Sequence, residues 1–357
     1  MTSRASTILI VDGDYVVTEQ YDQKILWHDY VDVDHDVSIP NYIEQNDYTL
    51  KQKYLDWVEG FSKLDIKGRS LESFFSLDGQ FSYYWPSLIS EKSYLKSPTI
   101  YQLFQLLALE EVLNQYQPTK ILLVSSDRKL SAIISQLVSN IECQFIFRRQ
   151  KVVSKKNNVI HHLKKVFHSL PYVLKGILRL IMFSWQFRTL IFSKPFQATK
   201  GEHKKQILMV SPFPGIDASK AKKGIYQSSW WGDLHHLLEK EGFYVNWVFM
   251  HFNNSQLNQV DELRLQDDFN RVSKHERFCS VYSFFSLKIV LSVMKDYIFL
   301  YGKYWQASST IRKYIGRSSF SLLLPEFKDS MAGSTAIMNL IYHHLFEACV
   351  TKTPDTQ

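Results

Sequence analysis

Cysteine is scarce in this chain: there are three, Cys143, Cys279 and Cys349. Their number is odd, their separations are long, and no Cys-x-x-Cys or Cys/His cluster accompanies them. Disulfides and a structural zinc site are therefore not expected, and a reducing cytoplasm fits best. No leader is read at the N-terminus, because residues 1–7 are polar and run straight into a strand pattern. Internal repeats and low-complexity tracts are missing as well. The most informative absence is of acid: from Cys143 to Gly201 there is not one Asp or Glu.

That same window holds twelve Lys and Arg: Arg148, Arg149, Lys151, Lys155, Lys156, Lys164, Lys165, Lys175, Arg179, Arg188, Lys194 and Lys200. The other 30 of the 42 basic residues face 35 acidic ones, so the rest of the chain is mildly acidic and the net +7 comes from one segment. At 357 residues two domains are expected, and 45% hydrophobic residues suffice for real cores. Aromatics reach 15%, a surplus that suits membrane, ligand or protein surfaces.

Residues 7–17 read as a buried strand ending in an acidic turn, and 24–33 as a second strand. An acidic, loop-like stretch with Asp32, Asp34 and Asp36 follows. Residues 50–64 are helical in pattern. Pro98 opens a nearly all-apolar, buried helix over 98–116. A strand (120–126), a helix (127–140) and a strand (143–149) complete an alternating α/β pattern, which implies a parallel, doubly wound sheet. After residues 150–204, a strand over 206–213, a helix from about Ser229 to Glu241 and a strand over 243–252 form a second βαβ unit. Helices are then expected over about 254–270, 285–305 and 328–349. The expected fold is α/β: two Rossmann-like lobes with parallel sheets, 1–149 and 205–357, joined by a basic helical insert, 150–204, with a helical C-terminal part.

Pro171 can open a helix running to Phe192. At about 100° per residue, Lys175, Arg179 and Gln186 fall within about 40° of one another, and most of the remaining circumference is apolar. A narrow polar stripe on a broad apolar body suits a helix lying in a membrane interface. Lys164, Lys165, Lys175, Arg179, Trp185 and Arg188 are the candidate membrane-binding residues, the cations contributing roughly 1 kcal/mol each near an anionic leaflet. A spanning helix is disfavoured because Arg179 and Arg188 leave no charge-free run of about 18 residues. A helix buried between the lobes is the plainer alternative. Nucleic acid is not expected as a partner, because the apolar bulk of 172–192 is wrong for tracking phosphates.

Asp12 and Asp14, in ILIVDGDYVV, match the first motif of haloacid dehalogenase-like phosphatases, in which one Asp is a nucleophile and the next an acid/base. Ser125 can mimic that family's second motif. No acidic pair for magnesium and no convincing lysine follow, so an Asp satisfying backbone donors in a turn is the plainer reading. The loop SPFPGIDASKAKKGIYQSSWWGD lies where open α/β sheets bind ligands. Lys220, Lys222 and Lys223 supply charge, a helix start near Ser229 supplies phosphate donors, and Tyr226, Trp230 and Trp231 supply aromatic surface. The plainer reading is a solvated basic loop with Trp anchors in the core. The pairs His161/His162, His235/His236 and His343/His344 do not read as metal sites, because adjacent residues point to different helix faces.

The strings Tyr84-Trp85-Pro86-Ser87-Leu88, Glu91-Lys92-Ser93, Pro98, and Leu107-Ala108-Leu109-Glu110 resemble the first half of bacterial surface carbohydrate biosynthesis proteins. Trp231-Gly232-Asp233-Leu234, Gly242 and Asn246-Trp247 fit the same resemblance, which covers most of the chain. It implies a glycosyltransferase of GT-B type in O-antigen or capsule assembly, and Asp233 joins Asp12 and Asp14 as a catalytic candidate. Such proteins continue into a further Rossmann-like half that binds the nucleotide-sugar, whereas this sequence ends in a polar stretch, Thr351 to Gln357. Two explanations stay open: the sequence is a fragment, or the donor half is a separate donor-binding chain, which would then be a partner beside an anionic membrane surface and a lipid-linked glycan acceptor. No cofactor and no metal are expected, and the expected location is cytoplasmic, peripheral to the inner membrane. A non-catalytic module of the same machinery and a magnesium-dependent phosphatase are the alternatives.

Overall fold

A computed structural model describes residues 7–13, 20–30, 36–77, 81–91, 97–139, 141, 143–150, 169–188, 205–213, 216–251, 259–316 and 318–352. The chain forms two compact units, one of Met1–Lys175 with Phe299–Ala336, the other of Gly176–Ile298 with Ile337–Gln357. The architecture is α/β, with a parallel sheet in each unit and a helical C-terminal part.

In the first unit, β1 (Thr7–Val11), β2 (Gln23–Leu26), β3 (Asp36–Ser38), β4 (Lys120–Ser125) and β5 (Gln144–Arg149) form an all-parallel sheet in the order β3-β2-β1-β4-β5. The central strands are continuous apolar runs because both their faces are buried. Ile8, Leu9 and Ile10 of β1 and Ile121 and Leu123 of β4 are fully enclosed. β3 falls in the stretch expected to be loop. Its Asp36 is accommodated by a cross-strand ion pair with Lys24 of β2 at 3.2 Å, so an acidic residue there does not oppose pairing. Asp32 and Asp34 lie outside the described residues.

Between β3 and β4 run α1 (Ile39–Gln45), α2 (Asp47–Ser62) and α3 (Pro98–Tyr116), and α4 (Arg128–Val138) follows β4. α1 starts where the Ser38 hydroxyl accepts from the Asn41 N–H. α3 starts at Pro98, as expected, and its central run Leu106–Leu109 is buried on successive sides. Its buried Gln105 donates from Nε2 to the Trp27 carbonyl at 2.9 Å, satisfying backbone just past the end of β2. Much of the aromatic surplus is spent inside this unit: Trp57 stacks between Phe61 and Phe320, with ring centroids 5.0 and 4.3 Å away.

The chain continues through α5 (Tyr172–Gln186), β6 (Lys205–Pro212), α6 (Leu234–Lys240), β7 (Phe243–Met250), α7 (Gln259–Val272), β8 (Glu276–Ser280), α8 (Leu287–Ile315), α9 (Leu324–Ala332) and α10 (Ser334–Lys352). β6, β7 and β8 make the parallel sheet of the second unit, with β7 in the middle. Alternation along β7 sends Val245, Trp247 and Phe249 to one face, where they pack with Phe213, Tyr226, Phe269 and Phe278.

Two differences from the sequence expectation have local causes. β8 is an added strand in a five-residue segment with little hydrophobic alternation, and pairing with β7 defines it. The expected helix over 328–349 is two helices. The Asp329 carboxylate accepts from the N–H groups of Ser334 and Thr335 at 3.1 and 3.2 Å, which caps α10 afresh. Gly333 is required at the break, since a Cβ there would stand 2.0 Å from Asp329 Oδ1.

Candidate functional site

In the first unit the strand order reverses between β1 and β4, the place where open parallel sheets leave a crevice at their carboxyl ends. β1 ends at Val11, and the Asp12 N–H makes a last bond to the Val124 carbonyl at 3.0 Å. Gly13 then turns the chain with φ +118°, a conformation that glycine tolerates best. The Asp12 carboxylate, mostly shielded, is held from two sides. The buried Ser125 hydroxyl at the end of β4 donates to Oδ2, and His28 Nε2 lies 3.0 Å from Oδ1. Ser125 Oγ also accepts the Asp127 N–H at 2.9 Å, while Asp127 Oδ1 caps α4 through the Lys129 N–H at 2.7 Å. Strand ends, a helix start and one carboxylate thus meet at one edge.

This arrangement differs from a Ser-His-Asp relay, because Asp12 sits between Ser125 and His28 rather than His28 between the other two. His28 turns Nε2 toward Asp12, and Nδ1 is the ring nitrogen that this contact does not engage. The sequence pattern singles out Asp12 and Ser125 but not His28. A lone histidine just past a short strand carries no spacing signal, and only the pairing of β1 with β2 brings it to Asp12. Asp14 lies outside the described residues.

In the second unit the lysine-rich loop is ordered by its own polar groups. Asp217 Oδ1 accepts from the Ser219 hydroxyl and from the Ser219 and Lys220 N–H groups, and these bonds, the hydroxyl first, hold its carboxyl below the usual range. Lys220 Nζ donates to Gln227 at 3.2 Å, while Lys222 and Lys223 are exposed. Trp231 donates its indole N–H to Ser211 at 2.9 Å, whereas Trp230 projects outward at 59% exposure. Tyr226 is buried, with its ring 5.1 Å from both Trp247 and Phe278. The helix begins at Leu234, five residues beyond Ser229, and exposed Asp233 occupies its cap position. A helix start at Ser229 is not formed, because Gly232, at φ +50°, keeps residues 229–233 in turns.

Past the end of β7, His251 Nδ1 is in short contact with Glu262 Oε2 of α7, and Gln266 Nε2 donates to Glu262 Oε1 at 3.1 Å. Sequence reading missed this pair, because eleven residues separate its members. Burial pushes the Glu262 carboxyl above its ordinary value, with His251 and Gln266 pulling back. The stability contributed by a carboxyl with a raised folded pKa is complete below the ordinary value of 4.5. It is lost as pH climbs through the raised value. Glu262→Gln should therefore gain in urea midpoint on the wild type as pH goes from about 4.5 to about 7.5. A wild-type-to-variant difference that stays constant over that range would contradict this.

α5 presents the third feature. Leu180, Phe183 and Phe187 are buried, and the rings of Phe183 and Phe187 pack against Tyr282 and Phe285. Lys175 is buried too, its ammonium 4.7 Å over the Tyr172 ring. The opposite face carries Ile177, Leu178, Ile181, Met182 and Trp185, all exposed, with Trp185 at 70%. Arg179 is exposed at its edge, and the Arg188 guanidinium lies 4.8 Å over the Trp185 ring. Lys164 and Lys165 lie outside the described residues, and among the described residues no helix is long and apolar enough to cross a membrane.

Neighbouring histidine rings approach each other at two places, His235 with His236 (centroids 4.0 Å) and His343 with His344 (5.3 Å). On α10 a ligand atom each from His343, His344 and Glu347 come within 4.8 Å of one another. Cβ atoms one residue apart diverge by about 100°, but the rings reach far enough beyond Cβ to swing back toward a shared side. No family model matches this chain, and comparison with curated proteins and with solved structures finds no match.

Proposed function

We propose that this chain is a peripheral membrane protein of surface polysaccharide assembly, glycosyltransferase-like, working at the cytoplasmic face of the inner membrane on a lipid-linked acceptor. The observation that carries the membrane part is the α5 face. Six large apolar side chains, Leu174 with the five above, point outward from one helix, and soluble monomers rarely leave such a patch uncovered. The acid-free, lysine- and arginine-rich segment on either side of α5 supports an anionic leaflet as the surface that covers it. The order β3-β2-β1-β4-β5 supports a Rossmann-like reading of the first unit, in which the Asp12–Ser125–His28 edge receives the ligand. The saccharide part rests on the resemblance of the Tyr84–Leu88 and Trp231–Leu234 strings to surface carbohydrate biosynthesis proteins.

In this reading Lys220, Lys222 and Lys223 meet the diphosphate of the acceptor and exposed Trp230 offers its face to a sugar ring. The test compares anionic vesicles with and without a polyprenyl-diphosphate-sugar. The doped vesicles should bind the wild-type chain more tightly. Replacing the three lysines with alanine should remove that increment, about 1–3 kcal/mol or roughly 5- to 150-fold, so that the variant binds doped and plain vesicles alike. Equal binding of both vesicle types by the wild type would remove the acceptor from the account.

A further inference from the structure

On α10, within the second unit, the half-buried His344 ring is held at both nitrogens. Nε2 lies 2.8 Å from Asp296 Oδ2 on α8, and Nδ1 lies 3.2 Å from Glu347 Oε2 one turn along the same helix. His343 stands beside it, its ring edge-on with centroids 5.3 Å apart. Ligand atoms of His343, His344 and Glu347 fall within 4.8 Å of one another. We propose that these three residues bind a divalent transition-metal ion, zinc before others, with Asp296 as the positioning residue behind His344.

The chemistry of the donor set carries the choice of ion. Two imidazoles and one carboxylate suit zinc and its first-row neighbours, whereas magnesium and calcium favour all-oxygen shells. Donor atoms about 2.0–2.2 Å from a tetrahedral zinc stand roughly 3.3–3.6 Å apart. The 3.2 Å separation of His344 Nδ1 and Glu347 Oε2 is already close to that. The other separations are at most 4.8 Å, and closing them calls for rotation of the exposed Glu347 side chain and of the intermediate His343 ring.

Asp296 is the second, independent observation. A metal-binding histidine usually gives its remote N–H to a carboxylate, which selects the tautomer and strengthens the ligand nitrogen. With Nε2 against Asp296, the other ring nitrogen, Nδ1, is the one that faces Glu347. Three protein ligands leave one position of a tetrahedral ion open to water or to a substrate oxygen, unlike the closed four-ligand shell of a structural zinc.

The test is direct binding. Full-length chain stripped with a chelator is titrated with Zn²⁺ by calorimetry and with Co²⁺ by visible absorption. The expected result is one equivalent of either ion and a Co²⁺ spectrum of nitrogen–oxygen ligation without thiolate bands, unchanged by Cys143→Ser. His343→Gln and Glu347→Gln, at positions open enough to leave folding intact, should lose that equivalent. Asp296→Asn should weaken it by about 10- to 100-fold. Absence of a stoichiometric equivalent in the wild type overturns the proposal, as does an affinity that His343→Gln and Glu347→Gln leave unchanged; His344 is then a hydrogen-bonded bridge between two carboxylates and nothing more.

Discussion

Changing Ile181, Met182 and Trp185 together to serine is expected to detach the chain from anionic vesicles while leaving its thermal unfolding nearly unchanged. The three side chains are 58%, 59% and 70% exposed, so they contribute little to the fold. Full burial of a large apolar side chain is worth about 1.5–3 kcal/mol, and half of that for three residues gives roughly 2–5 kcal/mol. Vesicle affinity should therefore fall by about 30- to 4000-fold. The control lies on the other face: serine at Leu180, Phe183 and Phe187 should unfold the segment, because those residues are already buried. An unchanged vesicle affinity in the exposed-face variant would mean that this patch meets something other than lipid.

Tyr226→Ala is expected to cost the second unit about 3–5 kcal/mol, the range for removing a large buried ring. The ring sits 5.1 Å from Trp247, 5.5 Å from Phe249 and 5.6 Å from Phe269, so the cavity left behind has little flexible material to fill it. The hydroxyl contributes less. Burial pushes it up, and Ser228 bonds to it. Tyr226→Phe should cost only about 0.5–1.5 kcal/mol. Urea unfolding of the two variants reads the difference directly. If alanine and phenylalanine cost the same, the ring is not part of this core.

Tyr226 also illustrates which features were legible in the sequence. Its loop has the composition of a ligand loop, and nothing in GIYQSSWW distinguishes a tyrosine that faces a substrate from one that plugs a core. The distinction comes from β7, whose alternation sends Trp247 and Phe249 to the face Tyr226 covers. The strands β1, β4, β6 and β7 and the helix α3 were legible because long apolar runs with turn residues at their ends have few alternatives. β3 and β8 were not, since short strands are defined by neighbours rather than by their own pattern. The amphipathic character of α5 was readable, but its orientation was not. Lys175, on the polar stripe by angle, is buried over Tyr172, while apolar residues face outward. Asp12 and Ser125 were found because each ends an apolar strand. His28, His251 and Glu262 were not, because long-range pairings assemble them.

The central claim, a chain held on a membrane surface by an outward apolar face, is tested most directly by floating the wild-type protein with vesicles and then washing with carbonate. It should float with anionic vesicles, float weakly with zwitterionic ones, and be released by carbonate, because an interfacial helix is held by a shallow apolar face plus charge. Protein that stays at the bottom of the gradient with anionic vesicles, or that floats and resists carbonate, would contradict the account.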